Sequence, residues 1–325
     1  MRTKMKMNNN LAPIVLFVYN RPSHTRQTVE ALKHCKQAVG SDLYVFADGP
    51  KENASAEIRE KISEVREFIH SIDGFRSVTI EEAEKNKGLA NSVIAGVSKV
   101  VERYGRVIVV EDDLIVSSHF LGFMNQSLDL YEHDGKVLCI NGYSIVKEPP
   151  IKQSTYFQYG ADCQGWATWQ RGWDVFVSDA QYLMDTIIQS RKLRSRFTYH
   201  GTYPYVEMLQ NQIDGKIDSW AIRWYASALI KGGLCLYPSR SLVQNIGFGD
   251  GTHCHDDNCY QATVVADESI TDFPRIRVRD SKVMRKEYEK LYEKLFGRPR
   301  RPLWKQFKRT IKRLIKPVLN HSTER

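Results

Sequence analysis

Residues 107–110, Val-Ile-Val-Val, run without a break into Glu111-Asp112-Asp113. A short stretch apolar at every position suits a strand buried on both faces, which is the habit of parallel sheets covered by helices. Three adjacent carboxylates cannot follow such a strand into a core. The strand must therefore end where solvent or a cation reaches it. The sequence around it repeats the pattern. Strands are expected over 14–19, 43–47, 77–81 and 137–141, and helices over 25–35, 54–72, 88–104 and 117–131. Pro22 sits where a first helical turn accepts proline, and Asp48-Gly49-Pro50 closes the second strand as a turn. Alternating strands and helices predict an α/β fold with a Rossmann-like, mostly parallel sheet flanked by helices. Its ligands bind beyond the carboxyl ends of the strands.

The alternation lapses near residue 142. Trp166, Trp169 and Trp173 follow at helical spacing, as do Trp220 and Trp224, and such sets are more often core than ligand platform. We read 143–274 as a smaller half closing over 11–142, residues 1–10 as disordered, and 275–325 as a helical tail. The chain has 325 residues, 42% apolar and 26% charged, which excludes a disordered chain, a collagen-like repeat and a disulfide miniprotein. Its six cysteines are scattered, as reduced thiols are. No run approaches a membrane span or a signal peptide, so a cytoplasmic protein is expected.

The net charge of +9 has a local origin. Residues 298–316 hold nine basic side chains and no acid, and without them 38 basic face 38 acidic residues. A general nucleic-acid-binding surface is excluded on that ground. Leu303, Trp304, Phe307, Ile311, Leu314, Ile315 and Val318 share one helical face opposite those cations. Such a helix suits an anionic membrane surface; the alternative is a helix docked on the body with a solvated basic face.

Several constellations carry chemistry. Glu111, Asp112 and Asp113 repel one another, and an oxygen-only set favours Mg²⁺ or Mn²⁺; the alternative is capping of the helix expected near Ser117. Arg21 follows the first strand beside a helix start, where it can bind a phosphate or lie in a surface turn. Asp48 can accept a hydrogen bond from a base or ribose, or serve its turn. No Gly-x-Gly-x-x-Gly follows the first strand and no phosphate loop occurs, which counts against a dinucleotide oxidoreductase and a P-loop NTPase. The glycine-rich stretch 247–252 could close over a bound donor and carry His253 to a diphosphate or metal; the alternative is a surface turn. The Cys and His residues of 253–259 lack the distant second pair of a structural zinc site.

The order of these features resembles the nucleotide-sugar half of GT-A glycosyltransferases. Asn20-Arg21 and Asp48-Gly49 each end a strand, Asn86-Lys87-Gly88 opens a helix, and Glu111-Asp112-Asp113 ends a later strand. The set is similar to inverting enzymes such as N-acetylglucosaminyltransferase I and related bacterial glycosyltransferases. Gln164-Gly165-Trp166 looks like the segment that shapes the donor and acceptor pocket, and Asp218-Ser219-Trp220 like the one carrying the catalytic base. The second Asp of that segment is Ser219 here, so the role passes to Asp218, with Glu207 and Asp174 as alternates. Asp218 can equally be a helix N-cap. The resemblance implies a transferase moving a sugar from a UDP-sugar to an acceptor hydroxyl with inversion. Asp113 and His253 would serve Mn²⁺ or Mg²⁺, and Arg21, Asp48, Lys87, Glu111, Asp112 and Trp166 the nucleotide sugar. With the basic tail, it implies a glycan or lipid-linked acceptor at the inner membrane face, as in bacterial capsule or lipopolysaccharide assembly. The alternatives are a sugar-nucleotide nucleotidyltransferase and a non-catalytic membrane-associated binding protein.

Overall fold

The computed structural model describes residues 11–247 and 273–297. His253, residues 1–10 and the basic stretch 298–316 lie outside the described residues. The first half follows the expected alternation: β1 (Ile14–Val18), α1 (Pro22–Lys33), β2 (Asp42–Ala47), α2 (Ala56–His70), β3 (Ser77–Glu82), α3 (Leu89–Tyr104) and β4 (Arg106–Glu111). All five residues of β1 are buried, as are four of six in β4, which is the signature of strands covered on both faces. Pro22 opens α1, Ser55 accepts from the Ile58 amide to cap α2, and Gly105 ends α3 in the left-handed conformation.

A short strand, β5 (Leu114–Val116), intervenes before α4 (Phe120–Leu130), and β6 (Val137–Asn141) follows. The expected helix over 117–131 thus begins three residues later. Beyond residue 142 come β7 (Thr155–Tyr159), β8 (Trp166–Trp169), α5 (Gln170–Trp173), α6 (Ala180–Gln189), α7 (Arg191–Phe197), α8 (Tyr205–Ile213), α9 (Trp220–Ile230), β9 (Leu234–Pro238), β10 (Val243–Asn245) and α10 (Lys282–Phe296). Trp166 and Trp169 therefore stand on a strand, against the helix their spacing suggested. Their burial is as expected, at 0% and 4% exposure.

The main sheet has eight strands in the order β3-β2-β1-β4-β8-β6-β9-β7, and β10 pairs with β5 separately. The pairs β2–β3, β1–β2, β1–β4 and β6–β9 are parallel; β4–β8, β6–β8 and β7–β9 are antiparallel. The strands after residue 142 thus extend the first sheet. Because β1 lies between β2 and β4 and runs parallel to both, the residues after Val18, Ala47 and Val110 emerge side by side at one end. Helix α10 docks by burying Met284, Tyr288 and Tyr292. The Tyr288 hydroxyl lies 2.9 Å from that of Tyr156 on β7. No helix among the described residues is long and apolar enough to cross a membrane.

Candidate active site

Glu111 ends β4 and sits in register with Phe17 of β1. The turn into β5 carries Asp112 and Asp113, and neighbouring elements hold it in place. Thr28 of α1 donates to the Asp112 carbonyl at 2.8 Å. The Ile246 amide, just after β10, donates to the Asp113 carbonyl at 2.9 Å. The Arg21 guanidinium meets the Asp113 carboxylate at 3.1 Å, with both side chains largely shielded. A Cβ at Gly247 would stand 2.2 Å from Asp113 Oδ2, so a side chain there would have to displace the Asp113 carboxylate.

Three carboxylates and one arginine leave the corner acidic. Burial, with Asp113 and Asp112 beside it, pushes the Glu111 carboxyl up to about 8 despite Arg21. Burial and Asp113 push Asp112 up to about 7, again against Arg21. Asp113 is raised by burial while its ion pair with Arg21 pulls the other way. Carboxylates held so that they resist ionising together are a fit for a hard divalent cation, which would relieve the repulsion. Among the described residues no three potential ligands converge as a finished cage. The capping alternative is absent: α4 begins at Phe120, and His119 at its cap position makes no side-chain capping bond.

Asp48 directly follows β2, one strand beyond β1, and its carboxylate is engaged by its own protein. Oδ1 accepts from the Gly49 and Lys87 amides, each at 2.8 Å. Oδ2 accepts from the Gly88 amide and Asn86 Nδ2, each at 3.0 Å. A carboxylate offers about four acceptor positions. Of the two roles expected of Asp48, these bonds show the turn role: it pins the Asn86-Lys87-Gly88 turn that starts α3. Lys87 joins this arrangement through its main chain and leaves its side chain exposed. A narrow cleft of about 130 Å³ lies beside Asp48, bounded by Phe46, Glu82, Lys87 and Gly96.

Asp218 reaches the same mouth from the second half. A Cβ on Gly88 would lie 3.9 Å from Asp218 Oδ2. Asp218 precedes α9, but Ser219 is the residue that caps it, accepting from the Ile222 amide at 3.3 Å. The Asp218 carboxylate is 57% exposed and pairs with Arg223 at 3.1 Å, free of the capping duty that competed for it. Glu207 on α8 and Asp174 after α5 remain the alternates.

Trp166 is fully buried, stacked on Trp220 at 5.4 Å and flanked by Trp173 and Trp224. It cannot offer a ring face to a sugar. It is corrected here to core, supporting the first residue of α9 and so the placement of Asp218. Asn86, Ile246 and Gly247 joined the site only in three dimensions. The one sequence signal for them was the notice drawn by Asn86-Lys87-Gly88 and by the glycines from 247 onward.

The family model described as the GNT-I family matches residues 1–174. No curated protein matches the chain. Among solved structures, the chain is similar to the mannosyltransferase PcManGT from Pyrobaculum calidifontis, in complex with GDP-Man and Mn²⁺. Identity is 11%, coverage 69% of this chain and 70% of that one, and the TM-score 0.36. It is also similar to S. aureus TarS, with 11% identity, 46% and 24% coverage and a TM-score of 0.29. A UDP-glucose pyrophosphorylase complexed with UDP-glucose shows 11% identity, 51% and 79% coverage and a TM-score of 0.30.

Proposed function

The chain belongs to the GNT-I family, and from that premise we propose a glycosyltransferase that moves a sugar from a UDP-sugar to an acceptor hydroxyl with inversion. The observation that supports this most is the corner where β1 and β4 end, with Arg21 against Glu111, Asp112 and Asp113. A nucleoside diphosphate carries negative charge that this acidic corner would repel. Asp113, with Asp112 and Glu111 beside it, would hold Mn²⁺ or Mg²⁺, whose chemistry is to neutralise the diphosphate as leaving group. Arg21 adds a guanidinium suited to phosphate oxygens. Asp48 acts by holding the 86–88 turn, and the narrow cleft next to it would take the base. Asp218, exposed at the mouth, would accept the proton of the attacking acceptor hydroxyl. A single displacement with one such base inverts the anomeric centre.

His253 would approach the diphosphate or the metal from the glycine-rich stretch. The amphipathic face of 303–318 and its basic residues would bring the enzyme to the anionic inner surface of a membrane, beside a glycan or lipid-linked acceptor. Surface polysaccharide or lipopolysaccharide assembly in bacteria is the setting this implies.

The test is thermal stability with UDP, GDP, CDP and dTDP, each with and without Mn²⁺, for the wild type and Asp113→Ala. A shift with UDP that requires Mn²⁺ and disappears in the variant is expected. Equal shifts without metal, or none with any nucleotide in folded protein, would sink the proposal.

A further inference from the structure

A second concentration of charge, of opposite sign, lies at the other end of the sheet. A cleft of about 440 Å³ opens between the end of β7, α7 and the start of α10. Five basic side chains line it, Lys192, Arg196, Arg279, Lys282 and Arg285, against the single carboxylate of Asp280. Arg285 is already engaged, pairing with Asp280 and reaching Glu289 at 3.7 Å. Glu289 also holds His200 at 2.5 Å. Arg196 lies over the Tyr159 ring at 3.9 Å, which fixes its plane, and shares Asp280 electrostatically with Arg285. Lys192, Arg279 and Lys282 are exposed; Lys282 also acts on Asp280, so that one carboxylate faces several cations.

This arrangement opposes helix electrostatics. The amino end of α10 carries partial positive charge, and acids are the favourable residues there. Its first turn holds none; Lys282 begins the helix and Arg285 follows one turn on. Asp280, just before the Ser281 cap, is the one carboxylate there and is engaged by Arg285; the remaining cations at a positive helix end cost stability unless a further anion joins them.

The cleft is distinct from the carboxylate corner. Tyr159 pairs with Leu234, the first residue of β9. Following the pairings across β6 and β8, β9 runs in the same direction as β4. The cleft therefore sits at the opposite end of the sheet from Glu111. It is also four strands away, about 19 Å at the usual strand spacing.

We propose that this cleft binds a phosphate-bearing anion. Arg196 and Arg279 supply planar guanidinium forks suited to phosphate oxygens, and Lys192 and Lys282 supply compact point charges. The phosphate can belong to a soluble diphosphate or to a lipid headgroup, and the two sources are separable. The probes are inorganic pyrophosphate in EDTA, read by calorimetry, and phosphatidylglycerol vesicles against phosphatidylcholine vesicles, read by co-sedimentation. The full chain is compared with Lys192→Ala/Arg279→Ala/Lys282→Ala and with a control of equal charge loss, Lys36→Ala/Lys152→Ala/Lys231→Ala. Lys192→Glu serves as a second, single-site variant.

Pyrophosphate affinity is expected to fall about tenfold or more in the cleft triple, with three charged contacts gone, to fall in Lys192→Glu, and to hold in the control. If vesicle binding stays at the control's level, the source is soluble; if it falls as well, the source is a headgroup. Pyrophosphate binding unchanged in the cleft variants, or lost equally in the control, overturns the proposal. The Mn²⁺-dependent response to UDP reads the carboxylate corner separately and is expected to stay intact in the cleft triple.

Discussion

Replacing Asp48 with Asn separates two roles that look alike in sequence. The carboxylate accepts four hydrogen bonds, two on each oxygen, all from residues 49 and 86–88. An amide keeps one oxygen and turns the other acceptor into a donor. Whichever way the side chain faces, two partners then meet an N–H group in a site where Asp48 is only 9% exposed. Each lost bond to a buried donor costs about 1–3 kcal/mol, so losing two should weaken the turn by about 2–6 kcal/mol. The Lys87 and Gly88 amides report on this directly. Their hydrogen exchange should quicken by about 30-fold or more if they exchange by local opening, and the urea midpoint should fall. Nucleotide binding should weaken for every base alike, since the turn that shapes the mouth is lost. The reasoning fails if exchange at Lys87 and Gly88 is unchanged while the variant merely alters which base is preferred. That pattern would return Asp48 to a direct contact.

Three further perturbations probe the same neighbourhood. Trp166→Ala should cost about 3–5 kcal/mol in denaturant unfolding, because the ring is fully buried among three other tryptophans; a variant of native stability with weakened donor binding would contradict its assignment to the core. Gly247→Ala should cost about 1–3 kcal/mol and reduce the Mn²⁺-dependent response to nucleotide, since its Cβ would fall 2.2 Å from the Asp113 carboxylate. An unchanged melting temperature and response would show that the corner yields freely. Burial pushes the Asp162 carboxyl, which accepts from the Cys163 amide and the Tyr237 hydroxyl, up to about 6. The unfolded chain releases that proton first as pH rises, so the Asp162 contribution to stability should fall between about pH 4 and pH 6, by at most about 3 kcal/mol, while Glu111 and Asp112, raised further, carry the decline on towards pH 8. Asp162→Asn should fall less steeply than the wild type between pH 4 and pH 6, and urea midpoints that stay parallel across that range would count against it.

The first half of the sheet was readable because buried parallel strands are apolar at every position. Ile-Val-Leu-Phe-Val in β1 and Val-Ile-Val-Val in β4 have no other comfortable place in a fold. The later strands hid because their buried residues do not look buried. Thr155 and Gln158 on β7 are each 1% exposed, and Cys235 and Tyr237 alternate with leucine and proline on β9. In β8, two tryptophans three apart copied a helical period within a strand only four residues long. The same limit applies to the site. A carboxylate at a strand end is visible in sequence. Whether its acceptors are already spent is not, because the donors to Asp48 from the 86–88 turn lie 38 to 40 residues along the chain. The neighbours of Asp113 at Ile246 and Gly247 are more distant still.

Formal charge outside the basic stretch balances, yet the two ends of the sheet do not. One end gathers Glu111, Asp112 and Asp113 around a single arginine; the other gathers five cations around one aspartate. A local field depends on where charges stand, and a neutral sum conceals both ends. At the acidic end an anionic nucleotide would meet repulsion from carboxylates that already resist ionising together, Glu111 at about 8 and Asp112 at about 7. On the proposed function, occupancy there would be conditional: a nucleotide would stay only if positive charge arrived with it. The basic end needs no such companion. It follows that removing divalent metal should abolish nucleotide binding at the first site and leave phosphate binding at the second untouched. Two anion sites that differ only in affinity would both weaken together with rising salt, and neither would depend on the metal.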